Sequence, residues 1–377
     1  MPSQRCGSSS VLGLAFIVLA TPTWAHHGIG RFDPTRELTV KGTLTGLDFV
    51  NPHSYVHFNA IDANGAVIAM QCEMRAATVL RRSGWSPVRF VPGVSIKIAG
   101  RPHRDDPHYC YADTLTIGDA PTLQRYQQLG AEASLSRVDR PLRLPSGKPN
   151  LAGDWAQEQY IMARPPQGPA NLVPQSLVAA VEAGTVAMAD VPSHGWFPPP
   201  MTLTAAGQAA SDALRDLPPE RNPRLSCQIT SVLFDWVFDG TINRITQSDD
   251  VITMEYGRGL TRTVHMDLAA HPSRIAPSRA GHSIGRWEND VLIVDTVGFL
   301  PGVLTGSVKH SDQLHVVERF SLDPATMRLT RAYTAQDPVY LKGTYSGQDV
   351  VQVADYPFVA DNCKELGFID YSKEAGR

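Results

Sequence analysis

From residue 37 the chain settles into short runs in which apolar and polar residues alternate, the period-two pattern of strands with one buried face. "ELTVKGTLTGLDF" (37–49) reads as one long strand, with a glycine near its middle where a barrel strand bends. "SYVHFNAID" and "AVIAMQCEM" follow as two more, joined around the hairpin signal "DANG". In "RAATVLRRSG" the apolar spacing becomes helical, and Gly84 is placed to stop that helix. "VSIKIAG" and "YCYADTLTI" return to strand. Three strands, a helix and two strands is the order of an OB-like five-stranded barrel, expected over 26–118.

The stretch 119–226 is less regular and reads as a linker with a partly helical, Pro-rich region. "TLQRYQQLGAEAS" and "QSLVAAVEAG" have helical spacing, while "RPPQGPANLVP" and "PSHGWFPPP" read as irregular. "LTAAGQAASDAL" is a firmer helix, with Thr202 or Thr204 able to cap it. Over 227–377 short strands recur at even spacing: "TINRITQ", "DVITMEY", "TRTVHMDL", a hairpin in "HSIGRWENDVLIVDTVGF", and a pair, "QLHVVERFSLD" and "RLTRAYTAQDP". A meander of this kind predicts a calycin- or lipocalin-like antiparallel barrel. The fold class is therefore mainly β, two barrels with an irregular connection.

Composition narrows this picture. The 377 residues are 42% hydrophobic and 19% charged, enough for two cored domains rather than a disordered chain. A net charge of −3 gives no footprint for nucleic acid or an anionic membrane. Arg5, the apolar run "VLGLAFIVLA" and the exit "TPTWA" predict a secretory signal over 1–25, cut after Ala25. That run is too short to cross a bilayer, so the expected protein is periplasmic or secreted, without a membrane anchor. In such a compartment the cysteines outside the signal pair up. Domain limits favour Cys72–Cys110 and Cys227–Cys363.

"AHHGIGRFD", "VKGTLTGLDFVNPHSYVHF" and "GWSPVRFVPGVSIKIAGRPHRD" resemble an exported bacterial family of unknown function. Its members start the mature chain with two histidines and carry Asn-Pro-His after the first strand. "GHSIGRWENDVLIVDTVGF" and "HSDQLHVVERF" are similar to the C-terminal region found with that domain in many hypothetical proteins. The resemblance implies no activity.

Two groups of residues carry candidate chemistry. A chain beginning at His26 would offer its α-amine and imidazole to one metal ion, and nitrogen donors in a tetragonal set suit copper. His53, His57, His103 and His108 are possible partners in the same domain. The plain alternative is an exposed terminus and turn histidines. In the C-terminal barrel, His265 and Asp267 alternate onto one face, His282, His310 and His315 recur near strand ends, and His315 shares a face with Arg319, so that both would line a barrel cavity, while Glu318 points away. Surface ion pairs and strand-end caps are the plain alternative there. No Gly-x-Ser-x-Gly elbow or His-Glu-x-x-His helix is present, so nucleophilic catalysis has little support, and without a phosphate-cradling loop no nucleotide cofactor is expected. The leading expectation is an exported protein that binds a small, mostly apolar molecule inside the C-terminal barrel. The alternatives are an isomerase or hydrolase using His, Asp and Arg there, and a copper-binding protein centred on His26. The oligomeric state is left open.

Overall fold

The computed structural model describes residues 31–62, 64–130, 141–191, 201–217, 223, 227–238, 241–360 and 363. The predicted signal and the His26–His27 pair lie outside them.

The first barrel is built from β1 (Leu38–Asp48), β2 (Tyr55–Ile61), β3 (Val67–Glu73), β4 (Ser95–Pro102) and β5 (Tyr109–Ile117), with α1 (Ala77–Arg82) between β3 and β4. The order β3-β2-β1-β4-β5 closes through a parallel β3–β5 pairing, which is the expected OB-like topology. Alternate residues turn inward, so Leu44, Val56, Phe58, Met70, Ile96, Ile98 and Leu115 form one core with Leu80 and Trp85 from the helix end. Cys72 and Cys110 are register partners at the β3–β5 seam and are joined as expected. Gly84 has φ +78° and ends α1, its amide donating to the Arg81 carbonyl.

The segment expected as a helix from 122 does not form one within its described part. Leu123–Gln124 is instead a short strand, β6, paired with Thr114 and Leu115 of β5. Tertiary contacts decide this. Arg125 is buried over the Tyr111 ring and donates to the Glu73 and Ala112 carbonyls, which outweighs a weak local helical preference.

The connecting region holds β7 (Gly153–Ala156), the hairpin β8 (Tyr160–Ala163) and β9 (Asn171–Pro174), α2 (Val178–Glu182) and α3 (Ala205–Arg215). Thr204 caps α3, its hydroxyl accepting from the Gly207 amide at 3.0 Å. β7 is not linker: it belongs to the second barrel, between β19 and β10.

That barrel adds β10 (Asn243–Gln247), β11 (Val251–Glu255), β12 (Thr261–His265), β13 (His282–Glu288), β14 (Val291–Val297), β17 (His315–Asp323), β18 (Arg328–Gln336) and β19 (Thr344–Val353). A small side hairpin, β15 (Gly302–Thr305) and β16 (Val308–His310), interrupts the series. Nine strands close, all antiparallel except the β12–β13 pair. Cys227 and Cys363 are bonded.

The interior expected to receive an apolar ligand holds the protein's own side chains. Trp155, Trp236, Tyr256, Met254, Phe320 and Val351 fill it. Among them lies a charged set in which Glu318 bridges Arg262 (2.5 Å) and Arg331 (3.2 Å), and Arg331 reaches Asp349 (2.6 Å).

The two barrels meet through buried polar contacts. Arg82 at the end of α1 reaches Asp355 at 2.5 Å and the Gln157 carbonyl at 2.8 Å. Gln159 donates to Asp355 and to the Arg82 carbonyl, and accepts from Ser83.

Candidate functional site

On β12, β13, β14 and β17 the buried residues Arg262, Ser283, Thr296 and Glu318 face the barrel interior. With a side-chain period of two, His265, His282, Asp295 and His315 fall on the opposite, outer face. The 266–281 connection, needed because β12 and β13 run parallel, crosses that face and brings His271 to it. Backbone bonds from Ser278 to Gly298 and from Leu300 to Ser278 pin the connection down.

The result is a chain of hydrogen bonds. Asp295 Oδ1 lies 2.9 Å from His315 Nε2 and 3.2 Å from His271 Nε2. His271 Nδ1 lies 2.8 Å from His282 Nδ1, and the His282 ring stacks on His265 at 5.1 Å. Simple bookkeeping of protons assigns the tautomers. A carboxylate only accepts, so His315 and His271 each carry a proton on Nε2. In a neutral His271, Nδ1 then accepts, and His282 donates from its own Nδ1. Unshared pairs are left at the two ends, on His315 Nδ1 and His282 Nε2. A second proton between His271 and His282 would set N–H against N–H. Burial first, then the neighbouring His271 and His265, accordingly holds the His282 pKa below the usual imidazole value.

Three of the five residues expected here, His265, His282 and His315, are brought together. Asp267 is not: β12 ends at His265, and Asp267 lies exposed in the following turn. Arg319 shares the outer face with His315, but it pairs with Glu288 at 3.2 Å, four residues further along β17. The expected common cavity does not exist for these two, because their face is the outside of the barrel. The sequence reading missed His271 and Asp295. Asp295 had a visible signal, a lone carboxylate inside the apolar run "VLIVDTV".

The first barrel disperses its histidines. His53 Nδ1 lies 2.9 Å from Glu73 Oε1, and Tyr109 donates to the other Glu73 oxygen at 3.0 Å. Burial raises the Glu73 pKa, but His53, Arg125 and Tyr109 outweigh it and keep the carboxyl below its ordinary value. His57 Nε2 bonds Asp48 at 2.9 Å. His103 Nδ1 accepts from the Asp105 and Asp106 amides, both at 3.1 Å, which places its proton on Nε2. The His108 amide bonds the Asp106 carboxylate. Among the described residues no three His, Cys, Asp or Glu side chains are disposed to hold a metal ion.

Residues 15–110 match the model of a family of unknown function (DUF6152). The match ends early in β5, so it takes in His53 and Glu73 and leaves the C-terminal histidine cluster outside. No curated protein and no solved structure matches the chain.

Proposed function

We propose that the outer face of the C-terminal barrel is an acid–base site, with His315 as the base and Asp295 as the group that orients it. The observation that carries this reading is the single Asp295 oxygen accepting from both His315 and His271. That contact fixes the His315 tautomer and leaves Nδ1 with its lone pair on a side chain 40% exposed. An imidazolium formed by proton uptake would be stabilised by the same carboxylate. The hydroxyls closest in register, Ser283 and Thr296, are buried on the other face with Arg262, so they offer no nucleophile to His315. The base then acts directly on water or on an acidic proton of the bound molecule, which places the reaction among hydrolyses or isomerisations. Leu268 and Leu300, both exposed, sit on the connections that frame the cluster and suit a small, mostly apolar substrate.

Two measurements test this. With short-chain p-nitrophenyl esters as probes, His315→Gln should lower turnover by about 10²-fold or more. Diethyl pyrocarbonate should modify His315 early, and Asp295→Asn should slow that modification. Equal modification rates with and without the Asp295 carboxylate, together with unchanged ester turnover in His315→Gln, would rule the reading out.

A further inference from the structure

We propose that the histidine cluster on the outer face works from both ends, isomerising a small, mostly apolar ketone through its enol. His315 Nδ1 takes a proton from the α-carbon while His282 Nε2, as imidazolium, gives one to the carbonyl oxygen. His315 keeps the role of base given to it above, on which this step rests; the acid and the substrate class are new.

Strand register supplies the geometry. Thr296 of β14 pairs with Ser283 on one side and with Val316 on the other. His282 and His315, each one residue earlier, therefore stand on either side of Val297. Two strand spacings separate them, about 10 Å between Cα atoms. Val297 shares their face and is partly exposed, which gives an apolar floor between the two imidazoles. A carbonyl group and its α-carbon, with a hydrogen bond of about 3 Å at each end, fit between side chains at that spacing. The exposed Leu268 and Leu300 favour an apolar remainder.

The bond chain supplies the chemistry. The two free nitrogens lie at opposite ends of one path, His315 to Asp295 to His271 to His282. A proton added at His282 Nε2 leaves its Nδ1–H on His271 intact. One added at His315 Nδ1 leaves its Nε2–H on Asp295 intact. Either end can thus become an imidazolium without breaking a bond. Both arms lean on the same Asp295 oxygen, and one carboxylate balances one imidazolium, so a proton at one end opposes a proton at the other. Burial, then His271 and His265, lower the His282 pKa, which makes its imidazolium the readier donor.

The cycle closes on that single extra proton. As His315 removes the α-hydrogen, the C–H electron pair becomes the C=C bond of the enol. The C=O π pair forms the new O–H bond with the His282 proton. The cluster still holds one extra proton, now on His315. In a β,γ-unsaturated ketone, His315 returns it to the far carbon while His282 takes back the hydroxyl proton. The conjugated isomer leaves and the site is reset, with no nucleophile or oxidant required.

The test follows cyclohex-3-enone, whose conversion to cyclohex-2-enone is read by ultraviolet absorbance. The native full chain should convert it, and His315→Gln and His282→Gln should each lower the rate by about 10²-fold or more. Glutamine at 282 keeps an N–H for His271 and removes the transferable proton. Phenol mimics the ring and hydroxyl of the dienol, so in native protein it should protect His282 and His315 together from diethyl pyrocarbonate. Native-like isomerisation in His282→Gln would overturn the proposal, as would phenol protection of His315 alone or an enone left unconverted by native protein. In each of those cases, ester turnover lost in His315→Gln would leave the base reading standing, whereas unchanged ester turnover there would remove both.

Discussion

Glu318 sits in the lumen of the C-terminal barrel between Arg262 and Arg331, and none of the three has measurable contact with solvent beyond 1%. Asp349 supplies the second negative charge, so the set is balanced. The Arg331 guanidinium also donates to the Val232 and Leu233 carbonyls, tying the 227–238 segment to the barrel interior. Removing one charge from such a set leaves another buried and uncompensated, at a cost of about 3–5 kcal/mol. Glu318→Gln should lower the unfolding free energy by that order in a urea titration, and a loss below ~1 kcal/mol would refute the assignment. The alternation in "HVVERF" already separates Glu318 from His315 and Arg319. It does not say which face is inside, and that choice moved His315 and Arg319 from an expected cavity to the outer surface.

Among the elements, α1 shows how a local signal and a distant contact act together. Gly84 was legible as the helix stop, and its φ of +78° confirms the need for glycine. Its second constraint was not legible: a Cβ there would collide with the Gly130 carbonyl. The 125–130 segment packs over this corner, with Leu129 donating to the Ser83 carbonyl and Trp85 Nε1 to that of Gln127. Gly84→Ala should destabilise the protein by about 2 kcal/mol or more, since left-handed strain and a steric clash add. A thermal melt within 1 °C of the parent would contradict this. The same corner explains the failed helix from 122, because Arg125 and Gln127 are committed to long-range partners. β7 escaped notice for a related reason: four residues, "GDWA", are too few to show a period.

For the whole molecule, acid should be destabilising from the imidazole range downward. Burial is the leading cause of the lowered pKa values of His103, His282 and His310. A histidine whose folded pKa is depressed takes up its proton first in the unfolded chain. Its penalty is absent well above ~6.5 and grows as pH falls through that value. Glu73 acts in the same direction lower down: its folded pKa is depressed, so its contribution is present above the unfolded carboxyl pKa and lost as pH falls through the folded one. Melting temperature should therefore drop steadily between pH 7.5 and pH 5, and a flat or rising curve would exclude this account. The Arg82–Asp355–Gln159 junction couples the barrels, so the loss should be felt by both.

The sequence by itself determined most strands, the order of the first barrel, the helix stop at Gly84, a threonine cap at 202 or 204, and the two cysteine pairings. These depend on periodicity, local backbone preference and domain limits, all of which are written in neighbouring residues. Only the tertiary structure decided that β7 closes the second barrel, that its lumen is packed, and that Asp295 joins His271 to His315. Residues 271, 295 and 315 lie on different elements, and their meeting follows from barrel closure and a parallel crossover, neither of which leaves a mark in any short window of sequence.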